Sequence, residues 1–199
     1  DELTILNLKM QGAKIDVWGV GTKLITAYDQ PALGAVYKLV SIADENGQMV
    51  DTMKISSNAE KVSTPGKKQV WRITRKRDGK SEGDYIALWE EQPDQESELY
   101  MFHPVFTYIN KTITDFEARP ILQDIIVEGK LVYELPSLQE VKAFSEAQMS
   151  GLWDEYKRIL NPEDYPVDLS QKTYDHKMAT IKEIKKQIKE EASLLESTK

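Results

Sequence analysis

The apolar positions of the first zone, residues 1–42, change from helical to strand-like spacing. The zone begins with apolar residues three and four positions apart, which predict one face of a helix: Leu3, Leu6 and Met10. Gly12 follows as a typical helix stop. Runs of β-branched and aromatic residues then predict strands at 14–18 and 35–42. A helix, a strand and a glycine loop in this order are typical of an α/β unit.

The middle zone, residues 43–135, consists of short strand-like runs separated by turn residues. Asn46-Gly47 and Asp78-Gly79 are dipeptides that favour tight turns between antiparallel strands. They predict two hairpins, one between 38–43 and 49–55 and one, with a longer loop, between 69–74 and 85–89. A further strand is predicted at 131–135. We therefore expect an antiparallel β-rich region.

The last zone, residues 136–199, has helical spacing with one interruption at 161–170. Ser137 and Glu140 form a capping-box pattern that predicts the start of a helix. Its buried side is predicted to contain Leu138, Val141, Leu152, Tyr156 and Ile159. A second helix is predicted at 170–197, where docking on its own domain is favoured over a coiled-coil seam. The three zones are the domain organisation that we predict.

Composition limits the class of protein. Of 199 residues, 40% are hydrophobic and 30% charged, which fits one domain of ordinary size or slightly more. No apolar run reaches the length of about 18 residues that a membrane span needs, and residues 1–4 lack the features of a signal peptide. Cysteine is absent, which fits a reducing, cytoplasmic location. The net charge of −7 argues against nucleic acid or an anionic membrane as partner.

Charged residues sort by strand around Asp78-Gly79. Basic residues precede the turn, namely Lys67, Lys68, Arg72, Arg75, Lys76 and Arg77. Acidic residues follow it, namely Glu82, Asp84, Glu90 and Glu91. Opposite-charge pairs across a hairpin explain this pattern, and a phosphate-binding patch is the alternative. We favour the pairs, because the neighbouring acids would neutralise most of the positive field.

The candidate binding motif is Gly19-Val20-Gly21-Thr22, directly after the predicted strand at 14–18. Two glycines one residue apart let backbone N–H groups converge on an anion, and Thr22 adds a hydroxyl donor. The motif lacks the third glycine of a dinucleotide fingerprint and the Gly-Lys-Ser/Thr of a P-loop. Phosphate binding and a tight turn at a strand exit both remain open from this pattern alone.

Other residues that could take part in catalysis or metal binding are few and far apart in the sequence. The chain has two histidines; we predict His103 to be half-buried at a strand end and His176 to be solvated on the polar side of the last helix. Glu90 and Glu91 are predicted to lie on the surface. The sequence contains no self-contained catalytic set, so no catalytic residue and no metal ligand is assigned.

Four segments together resemble one known enzyme family. They are IDVWGVGT at 15–22, YDQPALGAVYKLV at 28–40, PGKKQV at 65–70 and LPSL at 135–138. In this order and spacing they closely resemble nicotinate phosphoribosyltransferase. The resemblance covers essentially the whole chain but corresponds only to the C-terminal part of the enzyme.

The resemblance implies a fold and an activity. The family joins nicotinate to 5-phosphoribosyl-1-pyrophosphate, giving nicotinate mononucleotide and pyrophosphate with coupled ATP hydrolysis, in NAD biosynthesis and salvage. Residues 1–22 would be the last helix-strand unit of an irregular α/β barrel, followed by an antiparallel β-rich region and two C-terminal helices. By resemblance, Gly19, Val20, Gly21 and Thr22 would hold the 5′-phosphate of the ribosyl group.

The resemblance also implies partners and what this chain lacks. The nicotinate-binding arginine, the phosphorylatable histidine and the acidic residues around the ribose belong to upstream segments of the family, so the isolated chain is expected to be inactive. ATP and Mg²⁺ are expected for the full enzyme and not for this chain alone. Expected partners are the missing N-terminal part and a second copy in a dimer. The alternative is a non-catalytic β-rich interaction module. Residues 1–30 are expected to expose apolar side chains and to self-associate or be partly disordered.

Overall fold

The computed structural model describes residues 1–32, 34–58 and 61–197. Two compact units divide the chain, Asp1–Tyr37 and Lys38–Lys199. Each unit has its own secondary structure, and the larger one contains the main sheet and the core. Leu33, which belongs to one of the segments that carry the family resemblance, lies outside the described residues.

The first unit begins with the predicted helix, α1, at Glu2–Met10. Asp1 caps it, because its carboxylate accepts a hydrogen bond from the Thr4 N–H at 2.9 Å. Gly12 follows with a φ of +82°, a conformation that favours glycine and ends the helix. The predicted helix and its stop are confirmed. A single short turn, α2 at Thr22–Ile25, completes the regular structure of this unit.

The strand predicted at 14–18 is wrong, because this segment has no strand structure. The strand predicted at 35–42 forms only from Ser41 onwards. A strand needs a neighbour that accepts and donates its backbone hydrogen bonds. Among the described residues, no segment pairs with 14–18. A β-like sequence is therefore not sufficient to form a strand at this position.

The first predicted hairpin is confirmed, with shorter strands than expected. Strand β1, Ser41–Ala43, pairs antiparallel with β2, Met49–Asp51. Asp44 stabilises the turn, because its Oδ1 accepts hydrogen bonds at 2.8 Å from the N–H groups of Asn46 and Gln48. Gly47 adopts the positive φ, +77°, that such a turn needs.

The second unit is built on a six-stranded mixed sheet. Its strands are β3 Lys68–Arg75, β4 Ser81–Leu88, β5 Glu98–Phe102, β6 Asn110–Thr114, β7 Phe116–Pro120 and β10 Val167–Leu169. Their spatial order is β6-β5-β10-β4-β3-β7. The β3–β4 pair confirms the second predicted hairpin, although β4 begins earlier than expected. The fold class is thus mixed α/β, as predicted.

Strand β10 is the main feature that the sequence analysis missed. It comes from the predicted interruption at 161–170 and lies between β4 and β5, parallel to β4 and antiparallel to β5. The expectation of a purely antiparallel region is therefore wrong for this one pairing. The division into three zones as domains stays a prediction. The last zone, residues 136–199, contributes strand β10 to the sheet formed by the middle zone, residues 43–135.

The core lies on one face of this sheet. The alternation of buried and less buried residues is clearest in β4, where Ser81, Gly83, Tyr85 and Ala87 are the buried ones. The core cluster consists of Trp71, Ile73, Tyr85, Ala87, Leu99, Met101, Ile113 and Phe116. Burial of these large apolar side chains is the main stabilising contribution to this unit.

Beyond the sheet, a small hairpin precedes the third helix. Strands β8, Ile126–Val127, and β9, Lys130–Leu131, replace the predicted strand at 131–135. Helix α3 spans Leu138–Gly151 and begins with the predicted capping box. Glu140 N–H donates to the Ser137 hydroxyl at 3.3 Å, and Ser137 N–H donates to the Glu140 carboxylate at 2.7 Å.

The predicted buried side of α3 is largely wrong. Leu138, Val141 and Ile159 are exposed, and only Leu152 and Tyr156 are half-buried. The helix ends at Gly151, and Leu152 has an extended backbone. Leu152, Tyr156 and Ile159 therefore lie beyond the helix and do not share one of its faces. Tyr156 lies instead in a 3₁₀ turn at Asp154–Lys157.

The last helix, α4 at Gln171–Ser197, agrees with the predicted range of 170–197. Its first turns pack on the sheet: Thr173 is fully buried, and the Tyr174 ring meets Phe102 edge-on at 5.3 Å. Docking of α4 on its own unit is confirmed for these turns.

Candidate functional site

The predicted phosphate loop, Gly19-Val20-Gly21-Thr22, lies on the surface of the first unit. All four residues are exposed, and Gly21 immediately precedes the turn α2. A Cβ added at Gly19 or at Gly21 would meet no atom within 4 Å. The loop therefore has open space beside both glycines, as an approaching ligand would require. Phosphate binding by these residues stays a prediction.

The charged residues of the β3–β4 hairpin form the predicted cross-strand pairs. Arg72 lies opposite Asp84 in the register and binds its carboxylate with two hydrogen bonds, Nε–Oδ1 at 2.9 Å and Nη2–Oδ2 at 3.1 Å. Arg75 binds Asp78 at 2.5 Å and lies 3.4 Å from Glu82. These contacts support charge pairing over the alternative of a phosphate-binding patch.

The Arg72–Asp84 pair is the centre of a polar network in the second unit. Tyr165 donates its hydroxyl proton to Asp84 at 3.1 Å and also contacts Ser81 Oγ at 2.6 Å. Arg72 Nη1 donates to the Gln148 side chain of α3 at 2.9 Å. The hydrogen bond with Asp84 raises the pKa of Arg72, and burial raises the pKa of Tyr165 to about 12. The network joins the hairpin, α3 and the segment before β10.

The two lysines at the start of β3 have structural partners. Lys68 Nζ donates to the backbone carbonyls of Thr64 at 2.7 Å and Pro65 at 3.0 Å, and also to that of Gly66. Burial lowers the pKa of Lys68, and the nearby Asp51 carboxylate opposes this effect. Lys67 Nζ lies over the Trp89 ring, 3.7 Å from its centroid.

His176 is not solvated as predicted. Its Nε2 lies 2.8 Å from the Asp51 carboxylate, and both side chains are about one third exposed. This contact links α4 to strand β2. The prediction was wrong because Asp51 is distant in the sequence, so helical spacing alone could not place it beside His176.

His103 is half-buried directly after β5, as predicted. Its Nδ1 accepts hydrogen bonds from the N–H groups of Val105 at 3.1 Å and Phe106 at 2.9 Å. The ring also stacks on Phe106 at a centroid distance of 5.0 Å. Because Nδ1 accepts two hydrogen bonds, the neutral imidazole ring carries its proton on Nε2.

The surface prediction holds for Glu90 and is wrong for Glu91. Glu91 is half-buried, and its Oε1 accepts hydrogen bonds from Leu88 N–H and Ser170 Oγ, both at 2.7 Å. Ser170 in turn accepts from the Thr173 N–H at 3.0 Å and so caps α4. Glu91 therefore helps to fix the start of that helix.

Tyr165 and Asp168 are polar groups that the sequence analysis did not consider. Both lie in the segment predicted only as a helix interruption, and Asp168 is buried in β10. The alternation Val167-Asp168-Leu169 is a strand pattern, but three residues are too few to distinguish it from a loop.

The described residues contain neither a metal-binding cluster nor a membrane-spanning helix. Within 1–32, 34–58 and 61–197, no three or more acidic, histidine or cysteine side chains lie where they could hold a metal ion. Across the same residues, no helix combines the length and the apolar character that a membrane span requires.

Comparison with known proteins defines the class of the chain as a C-terminal domain of a transferase. The model of the nicotinate phosphoribosyltransferase C-terminal domain matches residues 67–177, more than half of the chain. A nicotinate phosphoribosyltransferase of Bacillus subtilis is 57% identical over 191 residues, and one of Mus musculus is 32% identical over 172 residues. The crystal structure of the human nicotinic acid phosphoribosyltransferase matches with a TM-score of 0.52 and 27% identity, over 61% of this chain and 23% of that one.

The chain belongs to the nicotinate phosphoribosyltransferase C-terminal domain family. The alignments cover 96% and 86% of this chain, but only 39% of the Bacillus relative and 31% of the mouse relative. The chain thus spans between about three tenths and two fifths of the length of these relatives. The family resemblance found in the sequence is confirmed.

Proposed function

We propose that this chain acts as the C-terminal part of a nicotinate phosphoribosyltransferase. The whole enzyme would join nicotinate to 5-phosphoribosyl-1-pyrophosphate, giving nicotinate mononucleotide and pyrophosphate with coupled ATP hydrolysis, in cytoplasmic NAD biosynthesis and salvage. The 57% identity with the Bacillus relative across 96% of the chain carries this proposal. The remaining part of the longer protein and a second copy in a dimer are the proposed partners, and ATP and Mg²⁺ would bind outside this chain.

The proposed contribution of this chain is the loop Gly19-Val20-Gly21-Thr22, which would hold the 5′-phosphate. The exposure of all four residues and the open space beside both glycines support it. Backbone N–H groups and the Thr22 hydroxyl would donate to the phosphate oxygens. An anchored phosphate would fix the sugar so that C1 faces the attacking nitrogen, which lowers the entropic part of the barrier.

The loop is tested by NMR titration of the 199-residue chain with nicotinate mononucleotide and, separately, with inorganic phosphate. We expect the amide signals of Gly19 and Gly21 to shift, and we expect Gly19→Val/Gly21→Val to abolish the response. Gly34→Val is the matched control, because a Cβ at Gly34 also meets no atom within 4 Å. No shift of the two glycine amides at millimolar ligand would favour the alternative, a non-catalytic β-rich interaction module.

The division of labour within the enzyme is tested by complementation. We expect this chain alone to form no nicotinate mononucleotide, because the groups that bind nicotinate and ribose would lie in the remaining part of the protein. Co-expression with that part of the Bacillus relative is expected to restore activity. Turnover by this chain alone would refute the proposed inactivity, whereas failure of co-expression to give turnover would count against docking of the two parts.

A further inference from the structure

A groove of about 960 Å³ opens where β10 meets β5 and the segment 103–110. It lies entirely within the second unit and is distinct from the glycine loop. Its walls include Ile86, His103, Phe106, Ile109, Tyr165 and Asp168. The full lining combines apolar and aromatic residues with a similar number of polar and charged ones, so the groove could hold both an apolar body and a charged group.

Asp168 is the unusual residue of this groove. Asp168 is only 6% exposed as a residue, yet it lines the groove. Among the described residues, its carboxylate has no hydrogen-bond donor and no ion-pair partner within 4.0 Å. Burial raises the pKa of Asp168, while Lys111 and His103 oppose that effect through their charges. The Asp168 oxygens are not among the fully buried side-chain atoms without a partner, of which the described residues have one, Trp71 Nε1. The carboxylate therefore keeps access to the groove and can accept a hydrogen bond from a ligand there.

Lys111 and His103, the two residues that act electrostatically on Asp168, have other hydrogen-bond partners. Lys111 Nζ donates to the backbone carbonyl of Glu82 and lies 3.2 Å from its carboxylate. His103 uses Nδ1 to accept two backbone N–H groups. Neither residue therefore satisfies the hydrogen-bonding capacity of Asp168.

The charge of the groove favours a cation. Its lining contains the carboxylates of Glu163, Asp164 and Asp168 and one lysine, Lys111, which is paired with Glu82. Among the residues that the structure describes, the Glu163 carboxylate has one ion-pair partner, Arg158 at 3.9 Å. The apolar rings and alkyl groups of Phe106 and Ile109 offer a surface for an apolar body next to these acids.

We propose that this groove binds a small molecule that carries a protonated amine on an apolar body, with the ammonium group donating to the Asp168 carboxylate. The site goes beyond the proposed phosphoribosyl transfer and shares no residue with the phosphate loop. Asp168 supplies the acceptor, and the walls around Phe106 and Ile109 cover the apolar part of the ligand.

The experiment uses the 199-residue chain with n-butylammonium as probe and 1-butanol, which has the same number of heavy atoms, as its neutral counterpart. We expect n-butylammonium to shift the NMR signals of the Asp168 amide and the Ile109 methyl group, and to bind about tenfold more tightly than 1-butanol, since a charged hydrogen bond is worth about 1.5 kcal/mol or more. Asp168→Asn should weaken n-butylammonium binding about tenfold. Asp124→Asn, which removes the same charge at an exposed position outside the groove, should change it less than about twofold.

Three results would overturn the proposal. They are equal binding of 1-butanol and n-butylammonium, unchanged affinity in Asp168→Asn, and no shift of either signal at about 50 mM n-butylammonium. The comparison of the two probes needs no variant, so it decides the question even if Asp168→Asn does not fold. The glycine amides of the phosphate loop serve as an independent signal, so failure here is distinguishable from failure of the proposed function.

Discussion

Asp168 links the chemistry of a single residue to the stability of the second unit. The residue is 6% exposed and lies opposite Tyr85 of β4 in the register. Because burial raises its pKa in the folded state above the ordinary 3.8, the folded chain binds the proton more tightly than the unfolded chain. The resulting stabilisation is present below pH 3.8 and is lost as the pH rises through the folded pKa.

Asp168→Asn is therefore expected to stabilise the ligand-free chain. We expect a gain of about 1 kcal/mol in the free energy of unfolding near pH 7, because the variant removes a buried charge without changing the size of the side chain. The gain should shrink as the pH falls towards 3.8. Urea unfolding at several pH values measures it, with Asp164→Asn as the exposed control. A loss of stability near neutral pH would contradict this account of Asp168.

Arg72 differs from Asp168, because its guanidinium group has an ion-pair partner and several hydrogen-bond acceptors. It holds Asp84 with two hydrogen bonds and Gln148 with a third. We expect Arg72→Met to cost about 2 kcal/mol, since the Asp84 carboxylate, 13% exposed, would lose its charged donor. Arg77→Met is the control, because the Arg77 side chain is 69% exposed and its contact with Asp78 is 3.9 Å long; it should cost less than about 0.5 kcal/mol. Urea unfolding compares the two, and equal losses would show that the network contributes no stability.

At the scale of elements, Gly83 decides how closely β10 approaches β4. Gly83 has a φ of +133°, and a Cβ there would lie 2.9 Å from the Pro166 carbonyl oxygen. That carbonyl accepts the Asp84 N–H at 3.0 Å, which begins the parallel pairing of the two strands. A side chain at this position would collide with backbone, which cannot move aside without breaking the pairing.

Gly83→Ala is expected to cost about 3 kcal/mol, from an unfavourable φ together with the collision. Gly129→Ala is the matched control, because Gly129 has a φ of +77° but open space around it. Its cost should be about 1 kcal/mol. Hydrogen exchange of the Asp84 amide adds a local measurement and should accelerate only in the Gly83 variant. If both variants lose the same stability, the close approach of β10 is not what requires glycine.

Elements defined by local interactions were predictable from the sequence. The turns at Asn46-Gly47 and Asp78-Gly79 and the cap at Ser137 each depend on residues within a few positions of one another. The charge pair Arg72–Asp84 was predictable too, because a hairpin turn fixes the register of its strands. These cases share a short sequence separation between the interacting groups.

Elements defined by distant partners were not predictable. Strand β10 exists because β4 and β5 lie on either side of it, and three residues of its own carry too little pattern. Residues 14–18 show the converse, a strand-like run without a partner among the described residues. The groove at Asp168 depends on β10, so it was missed for the same reason. The contact between His176 and Asp51 likewise joins residues far apart in the chain.

At the scale of the whole molecule, the first unit exposes apolar side chains, as predicted for residues 1–30. None of the residues in α1 is buried, and Val17 and Ile25 are 86% and 87% exposed. Exposed apolar groups at this density are typical of a surface that another polypeptide covers. The chain spans 39% of the length of the Bacillus relative, and we propose that the remaining part of the longer protein provides that cover.

The isolated chain is accordingly expected to self-associate through this surface. Sedimentation velocity should show a concentration-dependent increase in mass, because burial of apolar surface between copies removes it from water. Val17→Glu/Ile25→Glu places two charges on the surface and should shift the chain towards monomer. Gln11→Glu/Gln30→Glu adds the same charge at exposed polar positions of the same unit and should leave the association unchanged. If the chain sediments as a monomer at all concentrations, or if both double variants act alike, the exposed apolar residues of the first unit are not the cause of association.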